Sequence, residues 1–314
     1  MSARFVAAVV QLTSTSDEEA NWQSASQLVE RAAAAGARLV ATPENTNFLG
    51  PHEEKVRRAE PLGGQTAGSF AALARRLGIH LLLGSFNERS SDPARCHNTS
   101  VLFGPEGQVL AIYRKLHLFD VDIPGGVRFA ESDTCKPGAT GRSAGTTGTP
   151  GTPGTPETPA PLGGTHGDTA ADAAADMVCG EGGVVVAATP LGRIGMTICY
   201  DLRFAELYRR LAELGADLLT VPSAFTLTTG KDHWEPLLRA RAIENQCYVL
   251  APAQHGAHDD GGLRESYGHA MIVDPWGLVV AMASDGPGFA LAEIDLDRVE
   301  RVRQAIPVCR HRRL

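Results

Sequence analysis

Short apolar, strand-like segments alternate with amphipathic helical ones along nearly the whole chain of 314 residues, and this alternation restricts the fold more than any other feature. Residues 4–12, 37–42 and 80–86 are predicted strands. Residues 17–35 and 66–77 have helical spacing and stop at Gly36 and Gly78, which suit the positive φ of a helix C-terminus. Residues 99–103 and 109–113 flank Gly104-Pro105-Glu106-Gly107 and are predicted to pair as a hairpin. Two more hairpins are predicted, 183–189 with 192–199 and 270–273 with 278–282. Residues 216–222, 247–253 and 289–294 are further strands, and 204–214 and 234–246 further helices. Helices interleaved with strands and hairpins imply an α/β layered fold with a mixed sheet. There are too many strands for one compact sheet, so two stacked sheets with outer helices are expected.

One stretch breaks the pattern. From about 140 to 183 the chain repeats Gly-Thr-Pro and then runs rich in Gly, Ala and Asp. Such a composition lacks the apolar side chains that would offset its ordering entropy. We read it as a flexible surface insertion within a single domain spanning 1–314.

The formal net charge is −7, and the only dense basic cluster is Arg310-His311-Arg312-Arg313, expected to make local or subunit contacts. Neither a nucleic acid nor an anionic membrane is suggested as a partner. No run of apolar residues is long enough for a membrane-spanning helix, and residues 1–12 do not read as a secretion signal. The six cysteines, Cys96, Cys135, Cys179, Cys199, Cys247 and Cys309, are scattered without Cys-x-x-Cys pairs or metal-ligand spacing. They are expected to be free thiols in a reducing compartment, the cytoplasm, with no metal bound.

Three strand ends carry chemistry. Cys199 ends the apolar run 194–198 and is expected to open an amphipathic helix, where free N–H groups would favour its thiolate and offer donors to an oxyanion. Glu44, in Pro43-Glu44-Asn45, ends a second strand and is placed to act as a base. Lys115, in Tyr113-Arg114-Lys115-Leu116-His117-Leu118-Phe119-Asp120, ends a third, and its ammonium would stabilise a tetrahedral intermediate. Taken singly, each has a structural explanation: a core cysteine, a capping glutamate, a solvated lysine. His117 is read as structural.

In combination and order, these tracts, with Ile198-Cys199-Tyr200-Asp201-Leu202-Arg203-Phe204, resemble the nitrilase superfamily of carbon–nitrogen hydrolases. The resemblance extends from residue 4 to about 313 and includes the long tracts 233–246 and 267–277. It implies a four-layer α-β-β-α sandwich, usually dimerised, and a Glu44-Lys115-Cys199 triad working without a cofactor. Glu131 resembles a second glutamate that keeps the lysine charged and positioned. Nitrilases proper usually have Trp after the cysteine. Tyr200-Asp201-Leu202-Arg203 instead resembles the amidase branch, whose members hydrolyse deaminated glutathione or omega-amides of 2-oxo acids. The expected substrate is therefore an amide with a carboxylate, deaminated glutathione ahead of 2-oxoglutaramate. Arg203 is a candidate fork for that carboxylate; Tyr200, Phe225 and Thr229 are the other residues expected to meet substrate. A non-catalytic binding protein on the same fold is the alternative class.

Overall fold

The computed structural model describes residues 4–122, 128–138, 177–179, 183–262 and 264–313. The N-terminal half runs β1 (Arg4–Leu12), α1 (Glu18–Ala34), β2 (Ala37–Ala41), α2 (Glu54–Arg57), α3 (Gln65–Leu77), β3 (His80–Arg89), β4 (Cys96–Phe103) and β5 (Val109–Arg114), then the small hairpin β6 (Asp120–Asp122) and β7 (Arg128–Ala130). The C-terminal half runs β8 (Met177–Cys179), β9 (Val185–Thr189), β10 (Gly192–Met196), α4 (Ala205–Glu213), β11 (Leu218–Thr220), α5 (Leu227–Asn245), β12 (Tyr248–Ala251), β13 (Ala253–Ala257), β14 (Glu265–Tyr267), β15 (Met271–Val273), β16 (Val279–Met282), β17 (Gly288–Asp295), α6 (Leu296–Ala305) and α7 (Val308–His311).

These strands form two large mixed sheets, as expected. The first has the order β14-β13-β1-β2-β3-β4-β5, with β17 also antiparallel to β1; the second has the order β16-β15-β12-β11-β10-β9-β8. The first sheet has four neighbouring parallel strands, β13-β1-β2-β3, and the second has three, β10-β11-β12; antiparallel strands flank both runs. Side chains of the first sheet alternate between two cores, as the two-residue strand period demands. Ala7, Val9, Leu39 and Leu82 face the second sheet. Ala8, Val10, Val40, Leu81 and Leu83 pack on Phe70, Leu73 and Leu28 of the outer helices. Burial on both faces explains why these strands read as continuous apolar runs.

Local chemistry sets most element ends. Asp17 caps α1 by accepting from the Ala20 N–H at 3.0 Å. Gly78 closes α3 at φ +64°.

The structure differs from the sequence expectations at three places. The predicted strand 247–253 is two strands in different sheets: β12 belongs to the second and β13 to the first, and the chain changes sheet at Pro252. The helix predicted over 234–246 begins seven residues earlier, at Leu227, and includes Gly230. Of the predicted insertion at about 140–183, most lies outside the described residues, but 177–179 form β8 against β9.

Candidate active site

The functional candidates meet where the two sheets face each other at the ends of their parallel strands. Glu44 and Lys115 follow β2 and β5 of the first sheet, whereas Cys199 follows β10 of the second. Together with Glu131, Tyr200, Arg203, Phe225 and Thr229, they line one cleft. All eight candidates therefore line one cleft, although they come from five separate stretches of sequence.

Backbone geometry fixes Glu44. Asn45, next in sequence, has φ +55° and donates its N–H to Ser85 Oγ at 2.9 Å. Gly84 of β3 lets this loop lie close, since a Cβ there would come within 1.9 Å of Thr42 O. The Glu44 side chain, 3% exposed, accepts from Lys115 Nζ at 2.9 Å and Asn98 Nδ2 at 2.8 Å on Oε1, and from the Ala224 N–H at 2.8 Å on Oε2. Glu131 starts a single 3-10 turn and accepts from Lys115 Nζ at 2.8 Å, Phe119 N–H at 2.8 Å and Asn98 Nδ2 at 3.1 Å. Lys115 is thus a buried ammonium clamped between two buried carboxylates. Burial opposes its charge, but Glu131 and Glu44 outweigh that and hold its pKa well above the ordinary lysine value. Burial likewise opposes ionisation of Glu131, and the positive charges of Lys115 and then Lys55 bring its pKa well below the usual carboxylate range.

Cys199 corrects two expectations. It does not open the amphipathic helix. It opens a 3-10 turn, Cys199–Arg203, and α4 starts only after Phe204, whose extended backbone separates the two. Cys199 itself sits in the left-handed region at φ +48°, a strained conformation for a side-chain-bearing residue, with its N–H bonded to Pro222 O at 2.9 Å. Nor is its thiolate favoured in this state. Burial pushes the thiol pKa well up, the negative charge of Glu44 adds to the rise, and Lys115 offsets only part of it. The thiol therefore needs a base when it attacks.

Asp201 holds this turn, and sequence reasoning missed it. Wholly buried, it accepts from Tyr113 Oη–H at 2.7 Å, Ile198 N–H at 2.9 Å and His117 N–H at 3.1 Å. It ties the strand end bearing Lys115 to the turn bearing Cys199. His117 lies 2.7 Å from Asp201 through Nδ1 and stacks on Phe204 with ring centroids 3.6 Å apart, in keeping with a structural role. Arg241 fixes the turn from α5 by donating twice to Leu202 O, at 3.0 and 2.7 Å.

Three more residues escaped the sequence reading. Asn98 bridges both glutamates, and Lys55 and Arg264 line the cleft beside Phe129. A polar residue inside the apolar strand β4 was the one available signal for Asn98. Arg203 has no carboxylate partner among the described residues; its guanidinium lies 3.3 Å from His233 Nδ1 and 5.2 Å from the Phe225 ring. Thr229 Oγ1 is 2.8 Å from Thr226 Oγ1. Among the described residues, no cluster of His, Cys, Asp or Glu is arranged to hold a metal, and no helix is long and apolar enough to cross a membrane.

Comparison with known proteins agrees with this architecture. The family model described as carbon-nitrogen hydrolase matches residues 6–304. The chain is 43% identical to deaminated glutathione amidase of Mus musculus over 98% of its own length and 82% of the relative's. It is 40% identical to deaminated glutathione amidase of Synechocystis sp. over 98% of both chains. Among solved structures, NitFhit of C. elegans superposes with a TM-score of 0.80 at 40% identity, covering 99% of this chain and 65% of that one. Saccharomyces cerevisiae Nit3, a member of branch 10 of the nitrilase superfamily, does so with a TM-score of 0.76 at 29% identity, covering 99% and 97%. The sandwich of two sheets and the match over nearly the whole chain lead to one conclusion: this chain belongs to the carbon–nitrogen hydrolase family.

Proposed function

We propose that the cleft is the active site of an amidase that hydrolyses deaminated glutathione to 2-oxoglutarate and cysteinylglycine, with Cys199 as the nucleophile. The observation that carries this reading is the buried Glu44–Lys115–Glu131 cluster at the cleft that contains Cys199. The relatives named deaminated glutathione amidase, at 40–43% identity over 98% of the chain, supply the substrate.

Glu44 takes the thiol proton, and Cys199 Sγ attacks the amide carbon. Lys115 Nζ and the Tyr200 N–H stabilise the oxyanion of the tetrahedral intermediate, at a site where burial makes such donors strong. Glu44 returns the proton to the departing amine, which leaves a thioester on Cys199. Glu44 then activates water, and hydrolysis releases the acid and the thiol. Glu131 and Asn98 are positioning residues: they hold Lys115 charged and Glu44 in place. Arg203, unpaired with any described carboxylate, takes a carboxylate of the substrate, and Tyr200, Phe225 and Thr229 shape the wall around it. No organic cofactor or metal enters these steps.

The test compares kcat/KM for deaminated glutathione and 2-oxoglutaramate, measured through 2-oxoglutarate release. Preference for the first, abolished in Cys199→Ala, supports the reading. Preference for 2-oxoglutaramate would move the enzyme to omega-amidase chemistry, and full turnover by Cys199→Ala would end the thioester mechanism. Absence of turnover on any amide would favour a binding protein. We also take the chain to act as a homodimer in the cytoplasm, as a single domain carrying its 140–183 insertion. The exposed apolar side chains Ile243, Trp276, Leu278 and Met282 are consistent with a covered face, and sedimentation at micromolar concentration tests it.

A further inference from the structure

Lys55 lines the cleft, and the mechanism above leaves its charge unused. It lies on the short helix α2 and is only 2% exposed. Its ammonium faces the Phe129 ring, 6.0 Å from the centroid, and no described carboxylate pairs with it. Burying an unpaired ammonium is costly, so the position calls for an anion. Glu131 feels its charge without pairing with it, and its carboxylate is held instead by Lys115, Phe119 N–H and Asn98.

Arg264 stands on the same ring, its Cζ 5.3 Å from the Phe129 centroid. It is neutralised by Asp260 at 2.6 Å and tied to Gly50 O at 3.1 Å, so it frames the position and leaves Lys55 as the open donor. Arg203 belongs to a different wall, against Tyr200 and Phe225 at 5.9 and 5.2 Å. The cleft therefore offers two separate cationic positions besides Lys115, which already pairs with two glutamates and keeps one donor for the oxyanion.

We propose that Lys55, framed by Arg264 and Phe129, is a second carboxylate subsite, and that the enzyme selects amides carrying two carboxylates. This rests on the amidase reading above. Deaminated glutathione has that chemistry: one carboxylate on the 2-oxo acyl part and one on the glycine of the leaving group.

The experiment compares wild type, Lys55→Met and Lys55→Arg on three substrates: deaminated glutathione, the glycylglycine amide of 2-oxoglutarate, whose carboxylate lies equally far from the scissile bond, and the corresponding N-ethyl amide. Loss of a hydrogen bond to a charged group predicts a rise in KM of about 10- to 100-fold in Lys55→Met, larger than any fall in kcat. Lys55→Arg should recover part of it. If Lys55 holds the leaving-group carboxylate, only the two substrates bearing that group respond. If it holds the acyl carboxylate, all three do. Either pattern supports the proposal. Unchanged KM on every substrate overturns it, as does a defect confined to kcat with a shifted pH profile, which would mean that Lys55 acts only on Glu131. Melting temperatures confirm that the variants are folded. Should wild type ignore deaminated glutathione yet prefer the glycylglycine amide over the N-ethyl amide, the substrate reading fails and the subsite stands.

Discussion

Replacing Asn98 by Leu keeps the side chain's volume roughly constant and removes one amide that serves both carboxylates of the cleft. Its Nδ2 lies 2.8 Å from Glu44 Oε1 and 3.1 Å from Glu131 Oε1. A hydrogen bond to a charged group contributes about 1.5–3 kcal/mol, and leaving a buried acceptor short of donors costs about the same. Both carboxylates keep Lys115, and each keeps one backbone N–H, from Ala224 and Phe119. The loss in the folded state is therefore near the low end for each bond, about 3 kcal/mol for the two together. Only the bond to Glu44 bears directly on proton transfer, and about 1.5–2 kcal/mol there corresponds to a fall in kcat of about 10- to 30-fold. The assay is 2-oxoglutarate release coupled to NADH oxidation by glutamate dehydrogenase, alongside urea unfolding. A folded variant with kcat within threefold of wild type would refute the bridging role of Asn98.

Glu44→Gln should make the Cys199 thiol more acidic while abolishing turnover, because the glutamate both raises the thiol pKa and serves as its base. Iodoacetamide alkylation should then reach its midpoint at lower pH than in wild type while kcat falls by about 10³-fold or more; an upward shift would contradict the electrostatic assignment. Asp201→Asn places an amide N–H₂ among three donors, from Tyr113, His117 and Ile198. It should lower stability by about 2–4 kcal/mol and kcat with it, and intact melting temperature and activity together would show that the turn does not depend on Asp201. His52 has its pKa lowered to about 4 by burial first and then by Lys55 and Arg264. A histidine whose folded pKa is depressed contributes stability that is present above the unfolded value, about 6.5, and is lost as pH falls from there toward 4. Half-burial reduces the effect, so between pH 7.5 and 5 wild type should lose about 1–2 kcal/mol more than His52→Gln in urea unfolding; equal losses would remove His52 as the acid-sensitive group.

The two-sheet α/β architecture was legible from local pattern, because strand and helix periodicities are written in neighbouring residues. Glu44, Lys115 and Cys199 were legible as candidates because each follows an apolar strand and their tracts together, in that order, resemble one family; singly, each had a structural explanation. What failed in the sequence reading failed for identifiable reasons. The first turns of α5, residues 227–233, fall outside the predicted helix, yet they are helical with Gly230 buried among them, since tertiary packing overrides propensity. The chain's change of sheet at Pro252 leaves no local trace. Asp201 was read as part of a helical tract, and its role appears only when the strand carrying Tyr113 and His117 is brought against the turn.

The sequence by itself therefore determined the layers, the cap positions and the three strand ends that carry chemistry, since each depends on side chains a few residues apart. The tertiary structure alone decided that a first-sheet glutamate and lysine face a second-sheet cysteine, and that Asn98 joins Glu44 to Glu131. It also decided the protonation of Cys199, reversing the expected thiolate: the charges and burial that set a pKa come from groups near in space, and the nearest, Glu44 and Lys115, are far away along the chain.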